Sequence, residues 1–228
     1  VWVAGLFLLR GSLGRASARP KFRDLLSKSA AINRLSAARM FLFGARDVWF
    51  VVALPVYLST TLGWDFWQVG GFMAAWLVGY GVVQALAPAL TGARDARMPG
   101  GGAAAAWGLA LAVVPLAMAA MLAAGIDAQP VLVGGLALFG LVFAVNSSLH
   151  SYLVVGHAVR DGVSLDVGFY YMANAMGRLL GTVLSGWVFQ AAGLVACLAI
   201  SGAFVVLAAL VVRALPPVAI PRQAAAEG

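Results

Sequence analysis

FLFGARDVWF, residues 41–50, sets an arginine beside an aspartate, Arg46 and Asp47, inside a run of Phe, Leu, Val and Trp. The apolar run extends over roughly 36–58, and about 20 such residues are enough to cross a bilayer. A charge near the bilayer centre costs about 2.5–3.5 kcal/mol even on the lenient insertion scale, so it must face protein or a water-filled cavity. Neighbouring residues on a helix point in different directions, because only i, i+3 and i+4 positions share a face. Arg46 and Asp47 are therefore expected not to neutralise each other as a simple pair. Each should find a further partner on another helix or in a cavity.

Composition supports the membrane reading. Hydrophobic residues make up 63% of the 228 and charged residues 10%, against about 45–50% and about 25% in soluble domains. Such a chain cannot cover a water-soluble surface. The lone Cys197 rules out a disulfide framework within the chain. The opening VWVAGLFLL (1–9) is too short to span and reads as the end of a truncated helix, the sixth of a longer protein whose N-terminal part also spans the membrane.

Six stretches qualify as spans, at roughly 36–58, 67–90, 102–124, 131–155, 168–191 and 194–214. Turn chemistry separates them: LGWD at 62–65, GARDARMPGG at 92–101, GIDAQP at 125–130, VRDGVSLD at 159–166, a tight turn at Gly193, and RALPP at 213–217. Lys and Arg mark the cytoplasmic side. Arg10, Arg15, Arg19, Lys21, Arg23, Lys28, Arg34, Arg94, Arg97, Arg160, Arg213 and Arg222 all fall on one side of this topology, while the opposite loops carry only Asp65 and Asp127. The organisation is a basic central cytoplasmic loop over 10–34, a six-helix transmembrane bundle over 35–215 and a cytoplasmic tail over 216–228. The net charge of +7 is this topological bias and not a nucleic-acid surface, so lipid is the expected partner.

Polar residues are unevenly shared among the spans. The third and sixth hold almost nothing polar and can face lipid. The first carries Arg39, Arg46 and Asp47, the second Gln68, Tyr80 and Gln84, the fourth Asn146, Ser147, Ser148, His150, Ser151 and Tyr152, and the fifth Tyr170, Tyr171, Asn174, Arg178 and Ser185. Spans one, two, four and five should then surround something polar, with three and six outside. At 1.5 Å per residue, Arg46 and Asp47 fall roughly 15–18 Å into their span and Arg178 about 15 Å into its own, near the midplane. Arg39 lies about a turn in and shares a face with Arg46, and Tyr171, Asn174 and Arg178 share another. Gly177, Gly181 and Ser185 form a small-residue stripe of the kind that packs helices closely.

Guanidinium groups suit a tetrahedral oxyanion, because they bind it bidentately and stay ionised. Arg46, Arg178 and Arg39 are the candidate ligands of an anionic substrate, with Asn146, Asn174 and Tyr171 as further donors in the cavity or between helices. Asp47, the one acid within a span, is either a proton-coupling carboxylate or an arginine's counter-charge, and His150 is the second proton-coupling candidate. No metal-protease or serine-hydrolase motif is present, so the chain is not expected to be an enzyme or to need a cofactor.

Six spans after a basic loop, with the third and sixth outermost, resemble the C-terminal half of a major facilitator superfamily transporter. RLSAARMFLFGARDVWFVVALPVYL (34–58), LGWDFWQVGGFMAAWLVGYGVVQALAPAL (62–90) and GRLLGTVLSGWVFQ (177–190) are similar to ArsJ-type organoarsenical efflux permeases. The resemblance covers about residues 28–215. It implies export of 1-arseno-3-phosphoglycerate by alternating access, coupled to a proton gradient, across a bacterial inner membrane. It also implies an N-terminal half completing the cavity, and a functional link to a glyceraldehyde-3-phosphate dehydrogenase that makes the substrate. A facilitator for another organic anion or a drug fits the same arginines.

Overall fold

The computed structural model describes residues 29–90, 100–157 and 163–215. The end segments and the basic stretches at 10–28, 91–99 and 158–162 lie outside them, as does most of the basic loop read from the sequence. The described chain is helical throughout: α1 Ala30–Phe50, α2 Ala53–Thr60, α3 Phe66–Leu90, α4 Gly101–Ala123, α5 Ala128–His157 and α6 Val163–Arg213. Five helices are long and apolar enough to cross a membrane, with α1 and α2 counting together as Ala30–Thr60.

The first span starts earlier than expected and is broken. Ser29 caps α1, its Oγ accepting from the Ile32 N–H at 3.4 Å, so Arg34 lies in the helix and not in the preceding loop. The break at 51–52 has a local cause in Pro55, which lacks the N–H that would bond to the Val51 carbonyl and clashes with it. Ser185 repairs the other side: its Oγ accepts from the Ala53 N–H at 3.0 Å, satisfying a donor at the start of α2. The expected turns are present. Gly63, Gly125 and Gly193 all have φ near +70 to +76°, the left-handed region that a residue without Cβ enters freely.

At Gly193 α6 folds back on itself. A straight helix would hold Ser185 and Cys197 about 18 Å apart, yet Cys197 Sγ lies 4.0 Å from the Ser185 carbonyl. Side-chain pairings fix the directions of the remaining helices. Arg39 meets Ser147, Phe43 meets Phe143 and Trp49 meets Phe139, so α1 and α5 are antiparallel. Gly177 faces Met40 and Gly181 faces Gly44, so the first arm of α6 runs parallel to α1. Phe204 packs on Phe41, and Arg34 donates to the Ala214 carbonyl at 2.7 Å, so the second arm returns antiparallel to it. α4 lies on α5 and on this second arm, with Gly108 against Ala209 and Gly202 against Leu116.

α1 is the central element. It buries Ile32, Leu35, Leu42, Val48 and Trp49 completely or nearly so, and its most extensive partner is α6. There the glycine stripe sets the distance. A Cβ at Gly177 would stand 2.1 Å from the Met40 carbonyl oxygen, and one at Gly181 would stand 2.7 Å from that of Gly44. The sequence reading of this stripe as a close helix contact agrees with both. An aromatic column of Phe43, Trp49, Phe50, Trp76, Tyr80, Phe139 and Phe143 joins α1, α3 and α5. The Trp76 indole N–H donates to the Leu136 carbonyl at 2.8 Å and seats the ring on Gly140.

The second span stands at the edge of the described bundle. α3 is exposed along most of its length and touches the rest mainly through α5, with Trp76 also on Phe50 of α1 and a short contact with α2. Its Gln68 sits at the helix start, where Asp65 Oδ1 accepts from the Gln68 N–H and Gln68 Oε1 accepts from the Asp65 N–H, at 2.8 and 2.9 Å. That reciprocal pair is a capping box; it has taken Gln68 out of any interior role.

Candidate functional site

The polar centre is built on one face of α1. Asp47, 1% exposed, accepts from two arginines: Arg46 Nε reaches Oδ1 at 2.6 Å and Arg178 Nε reaches Oδ2 at 3.2 Å. Arg46 and Asp47 thus bond directly, although the expectation was that they do not neutralise each other fully as a simple pair. The argument from helix geometry concerned Cβ directions, and a long arginine stem turns along the helix surface far enough to bring Nε beside its neighbour. The second part of that expectation, a further partner on another helix, holds for Asp47 through Arg178. The Asp47–Arg178 bond crosses where Gly181 presses against the Asp47 Cβ, so the glycine stripe positions the ion pair.

Exposure divides the two arginines. Arg46 is 11% exposed and Arg178 56%. Arg178 therefore holds Asp47 from the open side and Arg46 from within. Both bonds use Nε, and no Nη atom of either guanidinium has a protein hydrogen-bond partner among the described residues.

Arg39 lies deeper. It is 4% exposed, with no carboxylate beside it among the described residues. Nη1 donates to the Ser147 carbonyl and to Ser147 Oγ at 3.0 and 3.1 Å, and Nε has no partner. Two rings cover it: its guanidinium carbon stands 4.1 Å from the Phe43 centroid and 5.0 Å from that of Tyr170. Arg46 stands 5.1 Å from the same Phe43 ring, so one aromatic ring serves both cations.

The other candidates separate. Asn146 turns toward α4, its Nδ2 donating to the Ala104 carbonyl at 3.3 Å, which is the interhelical alternative for that residue. His150 is fully buried one turn further along α5, with no partner for Nδ1 among the described residues. Asn174 is half-buried on the face of α6 that carries Arg178, and its Oδ1 is buried without a partner among the described residues. Tyr171 is exposed, whereas its neighbour Tyr170 is buried under Arg39. Among the described residues, no group of three His, Cys, Asp or Glu side chains is arranged to hold a metal ion.

Sequence reasoning placed Ser147 and Tyr170 among the polar residues of the enclosing spans without making them site candidates, and it missed Phe43. Phe43 was legible, since it lies four residues after Arg39 and three before Arg46, on their common face. Which of Tyr170 and Tyr171 turns inward depended on the rotation of α6 against α1, and no local pattern encodes that.

The described residues thus define a multi-pass helical membrane protein with a buried, cation-rich centre. No protein-family model matches the chain, and no curated protein matches it.

Proposed function

We propose that the chain is the six-crossing half of a secondary transporter that exports an anionic organoarsenical by alternating access. One observation carries the reading. Arg39, Arg46 and Arg178 converge on a region holding, among the described residues, a single carboxylate, Asp47. Ionisable groups in a membrane interior are costly to keep, and they mark substrate or ion pathways. An excess of guanidinium over carboxylate fits an anion as cargo. The alternating helix directions, with α6 counted as two crossings, fit the expected up-and-down bundle. Arg34 and Arg213 lie at one end and Asp65 and Asp127 at the other, which fits a cytoplasmic C-terminus.

The arsenical itself rests on the resemblance of 34–58 and 62–90. The open faces of α3 and the first arm of α6, with Phe66, Trp67, Leu77, Leu179, Val183 and Trp187 outward, are where a second half would close the cavity.

Growth of an arsenate-sensitive bacterium tests the proposal. The natural polypeptide is expressed with and without a glyceraldehyde-3-phosphate dehydrogenase. Resistance only when both are present is expected, and its loss in Arg46→Ala and Arg178→Ala variants that still reach the membrane. Resistance retained in both variants would remove the arginines from the substrate path. Absence of resistance despite membrane expression would leave another organic anion or a drug as the cargo.

A further inference from the structure

We infer that Asp47 is a positioning carboxylate. It holds Arg46 and Arg178 by their Nε edges so that the two Nη forks together grip one tetrahedral dianion, a phosphoryl or arsenyl head. This rests on the anion-transport reading and narrows it to a substrate class and a binding mode.

The geometry runs from the carboxylate outward. The two oxygens of one group, Asp47, each take one Nε, at 2.6 and 3.2 Å. Two guanidiniums tied to one carboxylate cannot lie far apart. Both spend the Nε edge on that tie, and their Nη atoms have no protein partner among the described residues. A planar guanidinium uses its N–H groups as a rigid fork, so each arginine keeps a free set of donors. Burial makes the tie firm: Asp47 is 1% exposed and Arg46 11%. Behind it, Gly177 and Gly181 bring the α6 backbone against Met40 and Gly44, which limits how far Arg178 can withdraw.

Charge selects among anions. Three guanidiniums and one carboxylate leave two positive charges in the centre, since Arg39 shares the Phe43 ring with Arg46. A phosphoryl or arsenyl dianion matches that balance, whereas a monocarboxylate leaves one cation uncompensated in a low-dielectric setting. Asn174, one turn from Arg178 and with a buried unpartnered Oδ1, has an amide group on the same face that can hydrogen-bond to a protonated oxygen or hydroxyl of the ligand.

Calorimetric titration of the natural polypeptide in lipid nanodiscs, with inorganic phosphate, arsenate and acetate as probes, tests this. Phosphate and arsenate are expected to bind at least about tenfold more tightly than acetate, the factor that about 1.4 kcal/mol represents. Asp47→Asn makes the centre more positive, so a carboxylate that merely neutralises charge predicts tighter phosphate binding on its removal. Positioning predicts the opposite: a loss of about tenfold or more, partly recovered in Asp47→Glu. Arg178→Lys keeps the charge without the fork and is expected to lose as much as Arg178→Ala. The Arg46→Ala, Arg178→Ala double variant should lose less than the product of the two single losses, because one fork alone no longer grips the ion.

Tighter binding in Asp47→Asn would overturn the positioning role and leave anion transport standing. Should Asp47→Asn fail to fold, wild-type affinity in Arg178→Lys, or independent losses in the arginine pair, would overturn it instead. Acetate binding as tight as phosphate would overturn the dianion class. A natural polypeptide that binds neither phosphate nor arsenate would overturn this inference, while arsenate resistance in the growth assay tests the anion reading by itself.

Discussion

Replacing Gly177 with alanine tests whether the α1–α6 crossing holds the charged centre together. The new Cβ would sit 2.1 Å from the Met40 carbonyl oxygen and 2.8 Å from both the carbonyl carbon and the Cα of that residue. All three are backbone atoms of a buried helix, so no rotamer change relieves the clash. Reaching even 3.0 Å from that oxygen, the limit for real Cβ contacts, moves the helices apart by roughly 0.9 Å. Overpacking of this kind costs about 1–3 kcal/mol, and the better helix propensity of alanine returns at most about 1 kcal/mol. A net loss of about 1–2 kcal/mol should lower the melting temperature by about 2–8 °C on the scale of domains this size.

The same displacement stretches Arg178 Nε–Asp47 Oδ2 from 3.2 Å past hydrogen-bonding range, while the Arg46 bond, internal to α1, survives. The internal control is Gly186→Ala on the same arm, where nothing lies within 4 Å of the added Cβ. That variant should melt at or above the parent. Thermal unfolding in detergent, followed by fluorescence-detected size exclusion, reads both. Equal melting temperatures for Gly177→Ala and Gly186→Ala would refute the crossing as described.

Ser185→Ala removes the acceptor for the Ala53 N–H, and leaving that buried donor unpaired should cost about 1–3 kcal/mol, read as a lower melting temperature in the same assay. Arg39→Met takes a buried, carboxylate-free cation out of an aromatic setting. A well-packed apolar replacement is neutral or stabilising there, so stability should hold or rise while arsenate resistance falls; loss of both together would make Arg39 structural. Asp65→Ala breaks the capping box at the start of α3, and a loss of about 0.5–2 kcal/mol should appear as faster amide exchange over 66–70.

Much of the fold was legible because it follows from local chemistry. The turns at Gly63, Gly125 and Gly193 were marked by glycine between apolar runs, and the packing stripe of Gly177 and Gly181 by spacing alone. The break in the first span was also encoded, by Pro55 within VVALPVYL, although hydropathy averages over it. What escaped was set by how helices rotate against each other. That rotation turns Tyr170 in and Tyr171 out, directs Asn146 to α4, and leaves α3 at the edge. In the centre, residue type pointed to Arg39, Arg46, Asp47 and Arg178, but their pairing depended on the lateral reach of the arginine stems.

The separation of Asp47 from Arg178 along the chain, 131 residues, bears on biogenesis. Synthesis proceeds at about 5–20 residues per second, so Arg178 leaves the ribosome roughly 7–26 s after Asp47. Throughout that interval the nascent α1 carries Arg39, Arg46 and Asp47, each unfavourable at the centre of an inserting helix, without the arm of α6 that packs against it. The first of these helices to be made waits longest for its main partner. Its stay at the insertion machinery, or beside a chaperoning neighbour, is then a timed consequence of where one arginine was placed in the sequence.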